Sequence, residues 1–277
     1  MKAAAVDYVR PGSLDEALAL LARADVDARV LAGGQSLVAM MNLRVATPEL
    51  LIDIARLPEL RAVDEDADTV MFGACVTHAA IEDGLVADPS RGLMPTVAAS
   101  LGYRAIRNRG TIGGSLALAD PAAEWPAVLA ALDGEAIVQG PQGRRSLNCA
   151  GFVTGIYETR LAAGEIITGL RVPRLSAGAR WGYVKLARKS GEFAMSLAVA
   201  VHDPARHHAR IVIGATDGAP LVLDEASLLC AGGRFDADAF RLAISADLDR
   251  AGDRQFETFH RDLHATSALR AIRQALA

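Results

Sequence analysis

Apolar positions recur at helical spacing near the start of the chain: Leu14, Leu18 and Leu21 share one face of a helix predicted over 13–23. Ser13 stands before it as an N-cap, with Glu16 at the reciprocal capping-box position. Short apolar runs predict strands at 29–31 and 50–54, so the opening 55 residues read as a small α/β unit. The texture then changes. A buried strand is expected at 69–73, a short helix opened by Thr77, and a helix at 93–101 with Pro95 near its first turn. An alanine- and leucine-rich helix follows Pro121 and ends near Leu132, and a hairpin is expected within 136–145. Pro173 and Gly178 mark a domain boundary near residue 176. Beyond it, strands at 181–186, 195–201 and 210–215 precede helices at 224–229, 236–244 and 264–276. That order predicts an antiparallel sheet covered by helices, an α+β unit.

Composition narrows the function classes. The 277 residues can build more than one domain, and 51% hydrophobic with 22% charged residues opposes extended disorder. A net charge of -4 gives no electrostatic reason to expect nucleic acid. The first residues lack the apolar run of a secretory signal, and no segment reaches the length of a membrane span, so a cytoplasmic location without a membrane span is expected. Cys75, Cys149 and Cys230 are too scattered for an iron–sulfur or zinc site and read as buried thiols. His202, His207, His208, His260 and His264 lack a metal-ligand spacing, so no metal site and no catalytic cluster are expected in this chain.

Candidate chemistry comes from two glycine pairs: Ala32, Gly33, Gly34, Gln35 and Ser36, then Thr111, Ile112, Gly113, Gly114 and Ser115. Adjacent glycines let a backbone approach a ligand closely, and successive turn amides can cradle phosphate oxygens. Two such stretches suit a ligand with two phosphates, although a pair of ordinary turns satisfies the same pattern. The three-glycine dinucleotide fingerprint and the Gly-Lys-Ser or Gly-Lys-Thr phosphate loop are both absent. Arg104, Arg107 and Arg109 stand before the second pair, as phosphate partners or as a solvated basic turn. Asp120 and Glu124 are four residues apart, read as helix-start acids or as paired carboxylates.

Three longer stretches carry a resemblance: AGGQSLVAMMNLR at 32–44, IRNRGTIGGSLALADPAAEWPAVLAAL at 106–132 and KLARKSGEFAM at 185–195. In their order and separation the chain resembles, over nearly its whole length, the FAD-binding medium subunit of molybdenum hydroxylases of the carbon monoxide dehydrogenase and xanthine dehydrogenase type. The resemblance implies an α+β chain: a two-subdomain FAD-binding domain of the vanillyl-alcohol-oxidase type over 1–176, in subdomains of about 1–55 and 56–176, then a C-terminal α+β domain over 177–277. It implies non-covalent FAD, its pyrophosphate held by Ala32, Gly33, Gly34, Gln35, Ser36, Thr111, Ile112, Gly113, Gly114 and Ser115. It places Glu124 on nucleotide hydroxyls, Asp120 in the associated loop, Leu101 beside the cofactor, Leu161 near adenine, and Tyr183 and Lys185 at the flavin. Ser115 replaces a frequent asparagine, and Leu118 a frequent histidine.

For function, the resemblance implies electrons arriving from two [2Fe–2S] clusters on a small subunit, fed by a molybdenum cofactor on a large subunit, and leaving through FAD to an external acceptor. A heterotrimer or a dimer of heterotrimers follows. Two other functions share the residue pattern: a self-contained FAD oxidoreductase, and an assembly subunit without FAD. Substrate and acceptor are left open, because the oxidised bond is read by another polypeptide.

Overall fold

The computed structural model describes residues 2–251 and 257–277. Three sheets follow one another along the chain. The first is a parallel sheet in which β3 (Leu50–Asp53) lies between β1 (Asp7–Val9) and β2 (Ala28–Leu31). Helix α1 (Leu14–Leu21) covers it, with the Ser13 hydroxyl accepting from the Glu16 amide at 3.2 Å. Glu16 reaches back as a capping box requires, but to the amide of Gly12 at 2.6 Å rather than to that of Ser13. Helix α2 (Leu37–Asn42) leaves directly from the first glycine pair.

The second sheet is antiparallel. Its strands, in spatial order, are β4 (Val63–Glu65), β5 (Thr69–Gly73), β10 (Ile166–Pro173), β6 (Glu135–Gly140) and β7 (Gly143–Asn148). Between β5 and β6 the chain forms α3 (His78–Glu82), α4 (Leu93–Ser100), α5 (Arg104–Arg107), α6 (Ile112–Leu118) and α7 (Glu124–Ala131). The hairpin of β8 (Val153–Gly155) and β9 (Glu158–Thr159) precedes β10. β10 is central and pairs with both β5 and β6, yet the sequence pattern predicts only a boundary there. Thr168 and Gly169 interrupt its apolar run, and the register shifts between Ile167 and Gly169, so periodicity breaks where pairing continues.

The C-terminal sheet runs β11 (Arg180–Leu186), β12 (Ser196–Asp203), β13 (His208–Gly214) and β14 (Leu221–Val222), all antiparallel. Leu197, Val199 and Val201 face the core shared with α7, while Ala198 and Ala200 face α8 (Asp224–Ala231), α9 (Ala237–Arg250) and α10 (Thr258–Ala275). β12 is therefore buried on both sides, which explains its unbroken apolar run. All eight residues of α7 are buried, in one apolar core that joins the second sheet to the third. No helix among the described residues is long and apolar enough to cross a membrane.

Candidate functional site

The first sheet, the helices of the second unit and β11 meet around a cavity of about 530 Å³. Ligand pockets commonly measure ~300–1,000 Å³. Ala32, Gly33, Gly34, Gln35 and Ser36 line one side, and Thr111, Gly113, Gly114 and Ser115 line the adjoining one. Leu101, Asp120, Glu124, Leu161 and Lys185 complete the wall, together with Gly191, Glu192 and Phe193 from the turn between β11 and β12. Ile112 lies behind this surface, fully buried in the core, and Tyr183 turns its hydroxyl to that of Ser100 at 3.0 Å.

Each glycine stretch packs tightly on a neighbouring backbone segment. A Cβ on Gly33 would sit 2.3 Å from the Arg109 carbonyl oxygen, and one on Gly113 would sit 2.5 Å from the Ala74 Cβ. Side chains at either place would force these segments apart. Gly34 alone of the four has a left-handed backbone, at φ 74°.

Their hydrogen bonding differs. The second stretch forms the first turn of α6, a helix where the pattern suggested a loop. Its amides are engaged: Ile112 donates to the Val76 carbonyl at 3.0 Å, Gly113 to Ala74 at 3.0 Å and Ser115 to Thr111 at 3.0 Å. Gly114 donates to the Thr111 hydroxyl at 3.1 Å, an N-cap bond. In the first stretch, no acceptor among the described residues takes the amides of Gly33, Gly34, Gln35 or Ser36. Four successive donors at a cavity wall form a surface able to receive an anion's oxygens.

Two of the arginines before α6, Arg104 and Arg107, serve the protein. Arg107 holds both carboxylate oxygens of Glu82, at 2.7 and 2.8 Å, and reaches the Leu101 carbonyl at 3.0 Å. Arg104 bonds to Glu82 and Asp83. These two guanidinium groups brace α3 against α5, a structural role, while Arg109 is exposed, as in a solvated turn. Asp120 and Glu124 do not share a helix face either. Asp120 precedes α7 and accepts from the Ala122 amide at 2.9 Å, whereas Glu124 is the first residue of α7.

Glu124 is 5% exposed and pairs with Lys185 at 2.7 Å. Lys185 also donates to the Ser100 carbonyl at 3.0 Å, tying β11 to the ends of α4 and α7. Burial pushes the Glu124 carboxyl above its usual range, and the Lys185 ammonium only partly opposes this. Burial and the neighbouring Glu124 charge likewise hold the Tyr183 phenol above its ordinary value. The sequence pointed to Glu124 and Lys185 as separate contacts; their pairing depends on the docking of the C-terminal sheet on α7, through β12 and β13, that no local pattern encodes.

One lining residue escaped the sequence reading altogether. His78 opens α3 and is nearly buried, and its Nδ1 accepts from the indole N–H of fully buried Trp125 at 3.1 Å. Burial, helped by the charge of Arg107, pulls its imidazole down to about 4. The signal available in the sequence was a histidine directly after the capping Thr77. The other histidines do not form a site: His208 bonds to the Ala131 carbonyl at 2.8 Å, and His264 to Ser196 at 2.9 Å. No group of metal-ligating side chains occurs among the described residues, and the described cysteines are free and buried.

Comparison with known proteins agrees with this architecture. The family model for the FAD binding domain in molybdopterin dehydrogenase matches residues 4–175. The chain is 39% identical over 221 residues to the nicotine 6-hydroxylase medium subunit of Paenarthrobacter nicotinovorans, covering 79% of this chain and 77% of that one. It is 37% identical over 268 residues to the carbon monoxide dehydrogenase medium chain of Hydrogenophaga pseudoflava, covering 91% of each. A solved structure of the Hydrogenophaga pseudoflava carbon monoxide dehydrogenase, in a form lacking the Mo-pyranopterin moiety, superposes with a TM-score of 0.91 at 33% identity, over 99% of this chain and 98% of that one. Its parallel N-terminal sheet, its cavity between units and its antiparallel C-terminal sheet thus belong to a shared architecture, and the chain is a member of the FAD-binding medium subunits of the molybdenum hydroxylase family.

Proposed function

We propose that the cavity holds one non-covalently bound FAD and that this chain is the electron-transfer step between an iron–sulfur subunit and an external acceptor. The observation that carries the reading is the run of four amides without protein acceptors, at residues 33–36, on the wall of a cavity of about 530 Å³. An anionic pyrophosphate supplies the oxygens that such donors require. Ser115 adds a hydroxyl beside them, and Thr111, Gly113 and Gly114 shape the adjoining surface. Leu101 and Leu161 offer apolar contact to the ring systems, while the Glu124–Lys185 pair and Asp120 provide polar atoms for hydroxyl groups and ring edges.

When bound, FAD supplies a centre that takes electrons singly or in pairs, which suits it to stand between one-electron iron–sulfur clusters and an external acceptor of either kind. The protein binds, orients and partly shields it; no residue here needs to act as a general base on the organic substrate. That chemistry is assigned to a large molybdenum-cofactor subunit, with two [2Fe–2S] clusters on a small subunit between the two. Relatives named as medium subunits or chains of multi-subunit enzymes support this division of labour. We further assign cofactor binding to residues 1–176, in subdomains of about 1–55 and 56–176, with 177–277 closing the site through Lys185 and the 191–193 turn.

Purified chain should carry about one FAD, which acid or heat denaturation releases into solution. Colourless protein that cannot be reconstituted would overturn FAD binding, and flavin retained on denatured protein would overturn its non-covalent nature. The substrate of the assembled enzyme should reduce the flavin only when the two partner subunits are present. Rapid reduction of the isolated chain by that substrate would instead favour a self-contained oxidoreductase.

A further inference from the structure

Resting on the FAD reading above, we infer that His78 is a further cofactor-binding residue, donating its Nε2–H to a phosphate oxygen of the bound pyrophosphate. Indole nitrogen is a donor only, so the Trp125 bond at 3.1 Å requires a lone pair on the His78 Nδ1. The proton of the neutral ring therefore sits on Nε2. Trp125 is wholly buried in the core and fixes the ring from behind.

The free edge faces the site. His78 lines the cavity, and its Cδ2 and Nε2 lie so close to Gly110 that a Cβ there would come within 2.8 Å of both. Gly110, the residue before the second stretch, also touches the first: its Cα lies 2.8 Å from the position of a Cβ on Gly33. The Nε2–H edge and Gly33, where the run of unengaged amides starts, thus both pack on Gly110 and line the same cavity. No acceptor among the described residues takes it, and no buried side-chain nitrogen or oxygen there lacks a partner, which leaves this one reachable from the cavity. A donor so oriented, next to four backbone donors, matches an acceptor-only group such as a phosphate oxygen.

The role differs from that of a cationic phosphate ligand. Protonating Nδ1 would set two donors against each other across the Trp125 contact. His78 therefore acts as a neutral donor of fixed tautomer, a fifth N–H added to four amides.

The test uses the full chain stripped of flavin. Dissociation constants for FAD are measured by flavin fluorescence quenching for the native protein, His78→Phe and His78→Gln. Phenylalanine keeps the ring and removes the donor, so binding should weaken about tenfold or more, as expected for a hydrogen bond to a charged group. Glutamine carries an N–H to nearly the same place and should stay within about threefold of the native value. Native-like affinity in His78→Phe would overturn the inference while leaving FAD binding intact, whereas no FAD uptake by the native chain would overturn both.

Should His78→Phe fail to fold, nitrogen-15 spectra of native protein with labelled histidine decide the matter. FAD and ADP should both shift the His78 Nε2–H signal, because both carry the pyrophosphate, and riboflavin should not. A signal unmoved by FAD, or moved by riboflavin and not by ADP, would overturn the phosphate assignment.

Discussion

Around Gly33 and Gly34 four successive amides have no acceptor among the described residues, whereas around Gly113 and Gly114 the amides of residues 112–115 are all engaged by Val76, Ala74 and Thr111. Both stretches line one cavity and both pair glycine with a following serine. The difference comes from what each glycine is needed for. Gly113 lets α6 lie against the backbone at Ala74, so it serves the packing of the second unit. Gly34 takes a left-handed turn that carries the chain from β2 into α2, leaving its neighbours' amides unengaged. A glycine pair thus marks a close approach, and only the fate of its amides says whether the approach is to a ligand or to the protein itself.

The largest expected effect lies outside both stretches and sets the scale for them. Lys185→Met leaves the Glu124 carboxylate buried without its cation, a change that typically costs about 3–5 kcal/mol. The sign of its pH dependence follows from burial. Burial already holds Glu124 above the ordinary glutamate value of 4.5, so the folded chain holds that proton more tightly than the unfolded chain does. Its contribution to stability is complete below 4.5 and is lost as pH rises through the higher folded value. Removing Lys185 raises that value further. Urea unfolding should therefore show the variant weakened far more at pH 8 than at pH 5, and adding Glu124→Gln should recover most of the difference. Equal loss at both pH values would mean that Lys185 contributes packing rather than charge.

Next in size is Gly113→Ala. The new methyl would overlap Ala74, and overpacking of this kind costs about 1–3 kcal/mol. The loss should appear in the thermal midpoint of flavin-free protein, with little further change in FAD affinity. A variant as stable as the native chain but poor in FAD would move the second stretch from scaffold to ligand contact.

Smallest is Gly34→Ala. A left-handed backbone costs a residue with a Cβ about 1–2 kcal/mol. Because no internal hydrogen bond holds the amides at 33–36, the turn can relax in flavin-free protein and the strain returns when the ligand binds. FAD affinity should fall about fivefold to thirtyfold while flavin-free stability changes little. If stability falls and affinity does not, the two stretches are alike after all.

These contrasts also show what the sequence could convey. Short-range periodicity was enough to read α1 from Leu14, Leu18 and Leu21, and β12 from an apolar run with no polar face. Both patterns are set by residues a turn or a pleat apart. β10 was not legible, because Gly169 and a register shift hide a strand whose place is fixed by partners about thirty residues away on one side and about a hundred on the other. At the site, the stretches at 32–36 and 111–115 stand out as glycine pairs, while Leu101, Asp120, Glu124, Leu161, Tyr183 and Lys185 come from resemblance, and all but Ile112 and Tyr183 of this set line the cavity. The hydrogen-bond state of the amides, the Glu124–Lys185 pair and the orientation of His78 were not legible. Each is decided by contacts between segments distant in the chain, and a side chain's tautomer or a spent amide leaves no trace in residue order.

The burial of α7 has a consequence for how such a chain can be taken apart and recombined. Its eight residues belong to one core with Leu197, Val199 and Val201, so a cut near residue 176 crosses the polypeptide without crossing a gap in the packing. The two pieces are halves of a single folded body. A graft of the C-terminal sheet from a relative would have to bring a matching α7 with it, making the heritable module a surface pair rather than a stretch of sequence.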